Sequence, residues 1–211
     1  MERRIENDLY ARQTNFYLST NRNGIIVGAG GIGSWVAILA AMTGIPKLHI
    51  MDFDHLEVSN LNRLPFTLED IGREKTKVVA DFISNIRPDT EVETYGECSK
   101  LALGMAYNPD MYNTLFDCTD RISIQKFLSN WCDEMGVTYV RVGYDGLHIT
   151  ITNSIPDWST DGDEDEGGYS ITPSWVVPAI IAAAYGVAKA TQFYDLEVSG
   201  NIDSLEFRKE T

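Results

Sequence analysis

Histidine and cysteine are scarce in this chain of 211 residues, three of each. Cys98, Cys118 and Cys132 form no C-x-x-C pair, which excludes a zinc ribbon and gives no disulfide framework. That usage fits a reducing, cytoplasmic compartment. His49, His55 and His148 are scattered as well, so a histidine metal site has no support, and no zinc is expected. No apolar run is long and clean enough to span a bilayer, and "MERRIENDLYARQ" at the start lacks the apolar stretch of a secretory signal. Basic residues are few, 17 against 31 acids, for a net charge of −14. A nucleic acid would be repelled by most of such a surface, whereas a small anion can bind wherever a few cations gather.

What the chain does contain is an ordinary globular share of apolar residues, 44%, arranged in alternating strand and helix patterns. Residues 24–29 read as a buried strand, "GIGSWVAILAAMTG" as the following helix and "KLHIMD" as a second strand. This β-α-β unit opens a doubly wound, mostly parallel, Rossmann-like sheet. In "REKTKVVADFISNIRP", Val78, Phe82 and Ile86, with Val79 and Ile83, mark one apolar helix face that Pro88 ends. "EVETYGE" and "TLFDCTD" read as strands, and "SIQKFLSNWCDEMG" as a helix capped by Gly136. "VTYVRVGY" and "LHITITNS" flank an Asp-Gly turn, so a hairpin makes the later part of the sheet mixed. The whole chain, 1–211, reads as one α/β domain flanked by helices. It has a polar N-terminal arm (1–22), an acidic mobile loop (157–168, six acids in twelve positions) and an apolar closing helix (174–193).

The chemistry concentrates in "IIVGAGGIGSWVAILAAMTGIPKLHIMDFDHLEVSNLNRL". Gly28, Gly30 and Gly33 form G-x-G-x-x-G between a strand and a helix. Such a turn lets backbone approach a phosphate, and the helix N-terminus adds free N–H groups and the positive end of a dipole. Asp52 ends the next strand, where an acid bonds ribose hydroxyls, and Asp54 adds a second acid. Cations follow: Arg63 after Asn60 and Asn62 in "SNLNRL", then Arg73, Lys75 and Lys77 in "DIGREKTK". An arginine fork and a lysine point charge both suit phosphate oxygens, and a triphosphate under attack needs cations for the charge that develops. Asp120 stands past the strand "LFDC", at a carboxyl end of the sheet, and a carboxylate there suits Mg²⁺. Its alternative role is a cap for the helix that follows.

Taken together, "VGAGGIGS", "DFDHLEVSNLNRL", "DIGREKTK", "NIRPDTEVE" and "LFDCTD" resemble the ThiF/MoeB/HesA family, the adenylating core of ubiquitin-activating enzymes. "NLNRL" looks most like the branch without a second fused catalytic half. The resemblance implies that MgATP and a carboxyl terminus, usually the C-terminal glycine of a small ubiquitin-like or sulfur-carrier protein, give an acyl-adenylate and pyrophosphate. By position it implies that Gly30 and its neighbours, Gly31 included, line the phosphates and that Asp52 binds ribose. It further implies that Asn60, Arg63 and Lys75 contact phosphates and that Asp120 holds magnesium. Arg12, in "LYARQ", matches an arginine that such homodimers insert into the partner's site. The acidic loop occupies the region where many members carry a catalytic cysteine, and it contains none. Cys118 in a strand and Cys132 in a helix read as packing residues, and Cys98 as more exposed. Adenylation without a covalent enzyme intermediate is therefore expected. An adenylating enzyme for a short peptide or small acid, an NAD-dependent oxidoreductase and a non-catalytic scaffold subunit share parts of the same pattern.

Overall fold

The computed structural model describes residues 9–155 and 174–204. The acidic run at 157–168 and the first eight residues lie outside the described residues. Seven strands form one sheet: β1 (Arg22–Val27), β2 (Lys47–Met51), β3 (Glu91–Tyr95), β4 (Tyr112–Asp117), β5 (Thr138–Asp145), β6 (His148–Thr152) and β7 (Val198–Asn201). Their order is β3-β2-β1-β4-β5-β6-β7. Strands β1 to β5 are mutually parallel, whereas β6 and β7 pair antiparallel. The Asp145–Gly146 turn does make the expected hairpin, with Asp145 opposite His148. The chain order reverses at β1, between β2 and β4, which is where ligands of such sheets bind.

The helices α1 (Gly33–Thr43), α2 (Lys75–Ile86) and α5 (Val176–Thr191) cover one face, and α3 (Lys100–Ala106) and α4 (Ile122–Met135) cover the other. Central strands must therefore be apolar on both faces. In β1, Ile26 packs under α1 with Ile50 and Phe116, while Ile25 and Val27 pack under α4 with Leu115, Leu128 and Trp131. Helix α1 is buried along most of its length (Val36, Ala37, Ile38, Ala40, Ala41) because α5 lies against it. Each fully buried Val or Ile contributes about 1.5–3 kcal/mol.

Two elements were not legible in the sequence, α3 and β7. Helix α3 is only seven residues long, and β7 is an exposed edge strand of four. Two expectations need correction. Arg22, counted with the polar arm, is 7% exposed and begins β1. Its guanidinium donates to Thr114 Oγ1, Ser19 and Tyr194, and these hydrogen bonds offset the burial of its charge. Cys118 lies one residue past β4, in the loop, not within the strand. The arm itself forms a short 3-10 helix, Ala11–Phe16, docked where Tyr10 Oη donates to Asp89 and Gln13 Nε2 to Met42 O.

Candidate active site

The glycine turn joins β1 to α1, and its conformation is forced by contacts. Gly28 adopts φ 89°, and a Cβ there would meet the Cys118 carbonyl at 2.9 Å. A Cβ on Gly33 would stand 1.7 Å from the Gly28 carbonyl oxygen, so α1 begins this close to β1 only with glycine. Gly30 differs: a Cβ there would meet nothing within 4 Å, so the turn presents bare backbone to open space. Asp52, at the end of β2, ties the turn down. Its carboxylate accepts from Ala29 N at 2.6 Å and from Asp54 N at 2.7 Å. This carboxylate is thereby fixed beside the turn.

After Asp54 the chain makes a closed excursion. Leu56 N donates to Arg73 O, Gly72 N to Leu56 O and Lys75 N to Asp54 O. Buried Leu56 anchors it. The excursion returns Lys75, the first residue of α2, to Asp54, and the ammonium and carboxylate stand 2.7 Å apart. Lys75, Asp54 and Asn60 line a cleft of about 370 Å³ together with Phe53, His55 and Glu57, within the usual size of ligand sites. Asn60 Oδ1 accepts from Glu57 N and shapes the cleft wall. The other cations of that stretch are engaged elsewhere. Arg73 pairs with Asp70 and Asp81, and Lys77 Nζ donates to Thr94 Oγ1.

Arg63 lies over the glycine turn. A Cβ on Gly31 would be 2.8 Å from Arg63 Nε, so Gly31 also makes room for the guanidinium. Arg63 Nη1 donates to Ser59 O and to Asn62 Oδ1, and Trp35 Nε1 holds the Arg63 carbonyl at 2.7 Å.

Asp120 is exposed on the loop after β4. That loop packs directly against Gly28, and Cys118 N donates to Val27 O. The helix cap position belongs to Arg121, one residue on. The loop is shaped by Asp117, which is 0% exposed. Its carboxylate accepts from Thr119 N, Thr119 Oγ1 and Tyr139 Oη, the last at 2.6 Å, and Arg141 lies 4.0 Å away. Among the described residues no cluster of three or more His, Cys, Asp or Glu side chains could hold a metal. An exposed carboxylate on this loop, next to the glycine turn, is the oxygen donor type that suits Mg²⁺.

The fold thus gathers Gly28, Gly30, Gly31, Gly33, Asp52, Asp54, Asn60, Arg63 and Lys75 around the turn and cleft, with Asp120 on the adjoining loop. Arg12 is not brought there. It is exposed in the 3-10 helix beside Met42 and Gly44, at the far end of α1 from the turn. Eleven helical residues separate the two ends by about 16 Å. Cys98, expected to be the more exposed thiol, is partly buried against the core that α3 and α4 cover. Burial, reinforced by the Asp117 charge, pushes Cys98 and Cys132 up to about 12 and raises Cys118 as well. Burial therefore disfavours the thiolate, the nucleophilic form, at all three.

Sequence reasoning missed Tyr144, at the carboxyl end of β5. Its hydroxyl lies 3.2 Å from where a Gly31 Cβ would be. It also missed Asp117 as the holder of the Asp120 loop. Only strand order reveals either one. Phe53, between the two acids, was not singled out from the sequence either; it lines the cleft and is 61% exposed.

This glycine turn at the switch point of a mixed sheet, with cations arriving after β2, matches known proteins. Residues 18–160 match the ThiF family, and the chain belongs to it. It is 29% identical over 140 residues to ubiquitin-like modifier-activating enzyme 5 of Dictyostelium discoideum, covering 61% of this chain and 37% of that protein. It is 29% identical over 119 residues to tRNA threonylcarbamoyladenosine dehydratase of Haemophilus influenzae, covering 56% of this chain and 46% of that protein. The matches thus span less than half of these relatives. Among solved structures, PaaA superposes with a TM-score of 0.75 at 21% identity, over 97% of this chain and 73% of that one. MccB of E. coli with ATP superposes with a TM-score of 0.70 at 18% identity, over 87% and 62%. These two establish the shared fold. Among the described residues no helix is long and apolar enough to cross a membrane.

Proposed function

We propose that this chain is an adenylyltransferase of the ubiquitin-activating type, joining the carboxyl terminus of a small ubiquitin-like or sulfur-carrier protein to AMP. The observation that carries the reading is an open backbone turn at Gly30 with Arg63 laid over its neighbour Gly31 and Lys75 held on Asp54, next to the Asp52 that ties the turn down. A redox cofactor gives those cations no task.

In this reading ATP lies with its phosphates along the turn and its ribose on Asp52. A substrate carboxylate oxygen attacks the α-phosphorus, the bond to the bridging oxygen of the β-phosphate breaks, and pyrophosphate leaves with the electron pair. The carboxylate is already ionised near neutral pH, so no general base is needed. Arg63 and Lys75 neutralise charge on the phosphates, and Asp120 would hold Mg²⁺, which would supply further positive charge there. Asp54 keeps Lys75 at the cleft. With all three thiols raised by burial, transfer stops at the adenylate without an enzyme thioester.

The placement of Arg12 beyond reach of its own turn supports a homodimer in which it serves the partner's site. Mixing Arg12→Ala and Lys75→Ala proteins would then restore part of the activity that each lacks. A peptide substrate is the second reading, favoured by the fold shared with MccB, which has been solved in complex with N-formylated MccA. In either case the setting is a reducing cytoplasm.

The decisive experiment is ATP–pyrophosphate exchange with Mg²⁺ against proteins and peptides ending in Gly-Gly. Exchange that depends on one of them establishes adenylation. Tight NADH binding without ATP binding would overturn it.

A further inference from the structure

Ser174 stands two residues before α5 and meets the site from a part of the chain remote in sequence. Its carbonyl accepts from Asn62 Nδ2 at 2.7 Å, and its hydroxyl is hydrogen-bonded to the Tyr144 hydroxyl. The other end of the same amide, Asn62 Oδ1, accepts from Arg63 Nη1 at 2.9 Å. Both ends of Asn62 are therefore committed. The oxygen must face the guanidinium, which only donates, and the nitrogen must face the Ser174 carbonyl, which only accepts. Tyr144 and Arg63 also flank one glycine, with Tyr144 Oη 3.2 Å and Arg63 Nε 2.8 Å from the position of a Gly31 Cβ. Residues from the turn after β2, the carboxyl end of β5 and the approach to α5 thus converge on one guanidinium.

The geometry points to a latch: Tyr144 holds Ser174, Ser174 orients Asn62, and Asn62 aims Arg63 over Gly31. Ser174 and Tyr144 are positioning residues, acting on the phosphate site through Arg63. An arginine side chain samples many rotamers, and one already aimed loses less freedom when an anion arrives. The value of the latch to catalysis rests on Arg63 being a phosphate ligand, as proposed above. Its existence does not.

The test therefore reads both properties. In ¹⁵N-labelled protein, the Arg63 Nε–H signal, identified by its loss in Arg63→Ala, reports side-chain order through its heteronuclear NOE. ATP affinity is measured by calorimetry on the same proteins. Ser174→Ala and Tyr144→Phe should lower the NOE and weaken ATP binding roughly three- to tenfold, the scale of one lost hydrogen bond. Ser174→Thr, which keeps the hydroxyl, should preserve both. In an Arg63→Ala background neither change should weaken ATP further, because the two act through the same group. An unchanged NOE in folded Ser174→Ala and Tyr144→Phe overturns the latch, as do fully additive losses with Arg63→Ala. A lowered NOE in a protein that binds no ATP keeps the latch and removes the nucleotide reading.

Discussion

Lys75 and Asp54 are joined twice, by an ion pair at 2.7 Å and by the Lys75 N–H donating to the Asp54 carbonyl at 3.0 Å. The pair closes a loop of some twenty residues and sets a lysine, 11% exposed, on the wall of the cleft. Asp54 is 51% exposed, so the pair contributes little to stability, about 0–1 kcal/mol. Its role is placement. Lys75→Ala should lower pyrophosphate exchange by roughly a hundredfold or more. Thermal melting of the variant should stay within a few degrees of the parent. A large melting shift with exchange retained would reverse the assignment.

The glycines separate packing from binding. Gly33→Ala drives a methyl into the Gly28 carbonyl and should cost about 3 kcal/mol or more, or prevent folding. Gly30→Ala meets only open space, so melting should be unchanged while ATP affinity falls at least tenfold, by calorimetry. Unimpaired binding in Gly30→Ala would move the phosphates away from this turn.

Asp117 and Asp120 should behave in opposite ways. Removing the Tyr139 hydroxyl with Tyr139→Phe takes a donor from a fully buried carboxylate and should cost about 1–3 kcal/mol in urea unfolding. Asp120→Ala should leave urea unfolding alone and weaken the Mg²⁺ dependence of exchange, seen as a higher magnesium concentration for half-maximal rate.

Cys98 and Cys132 are pushed up to about 12 by burial first and by the Asp117 charge second, from an ordinary value of 9.0. Tyr95 rises to about 12 through burial and its hydrogen bond to Glu93. In each case the unfolded chain loses its proton at lower pH than the folded one. Stability from these groups is complete below their unfolded values and declines as pH rises from about 9 toward about 12. At pH 7.5, iodoacetamide should label the native protein far more slowly than the urea-unfolded chain, and Cys98→Ala with Cys132→Ala should keep pyrophosphate exchange. Rapid native labelling at Cys98 would bring back a thioester intermediate.

The sequence already contained β1, α1 and β2, because an apolar run, three spaced glycines and a second run bounded by Asp52 encode a local βαβ unit that needs no distant partner. Helix α4 ended at Gly136 as read, with φ 66° there, and the Asp-Gly turn announced the β5–β6 hairpin. Helix α3 and β7 were not legible. A seven-residue helix shows too few turns for a period, and an edge strand lacks the apolar alternation of a buried one. In the site, Gly30, Asp52, Arg63, Lys75 and Asp120 were readable as ligand chemistry from residue type and order.

Residue type and local order therefore carried the class of ligand proposed here, since phosphate recognition needs bare backbone, a helix start and cations, all within one short stretch. Tertiary structure alone decided which cations stand at the proposed site. Arg73 and Lys77 are spent on Asp81 and Thr94, whereas Lys75 is returned to Asp54 and Arg63 is laid on Gly31. It also placed Tyr144 and Ser174 beside that arginine and Arg12 at the opposite end of α1. The reason is strand order: β5 and the approach to α5 reach the glycine turn only through the sheet between them, and no spacing along the chain encodes that.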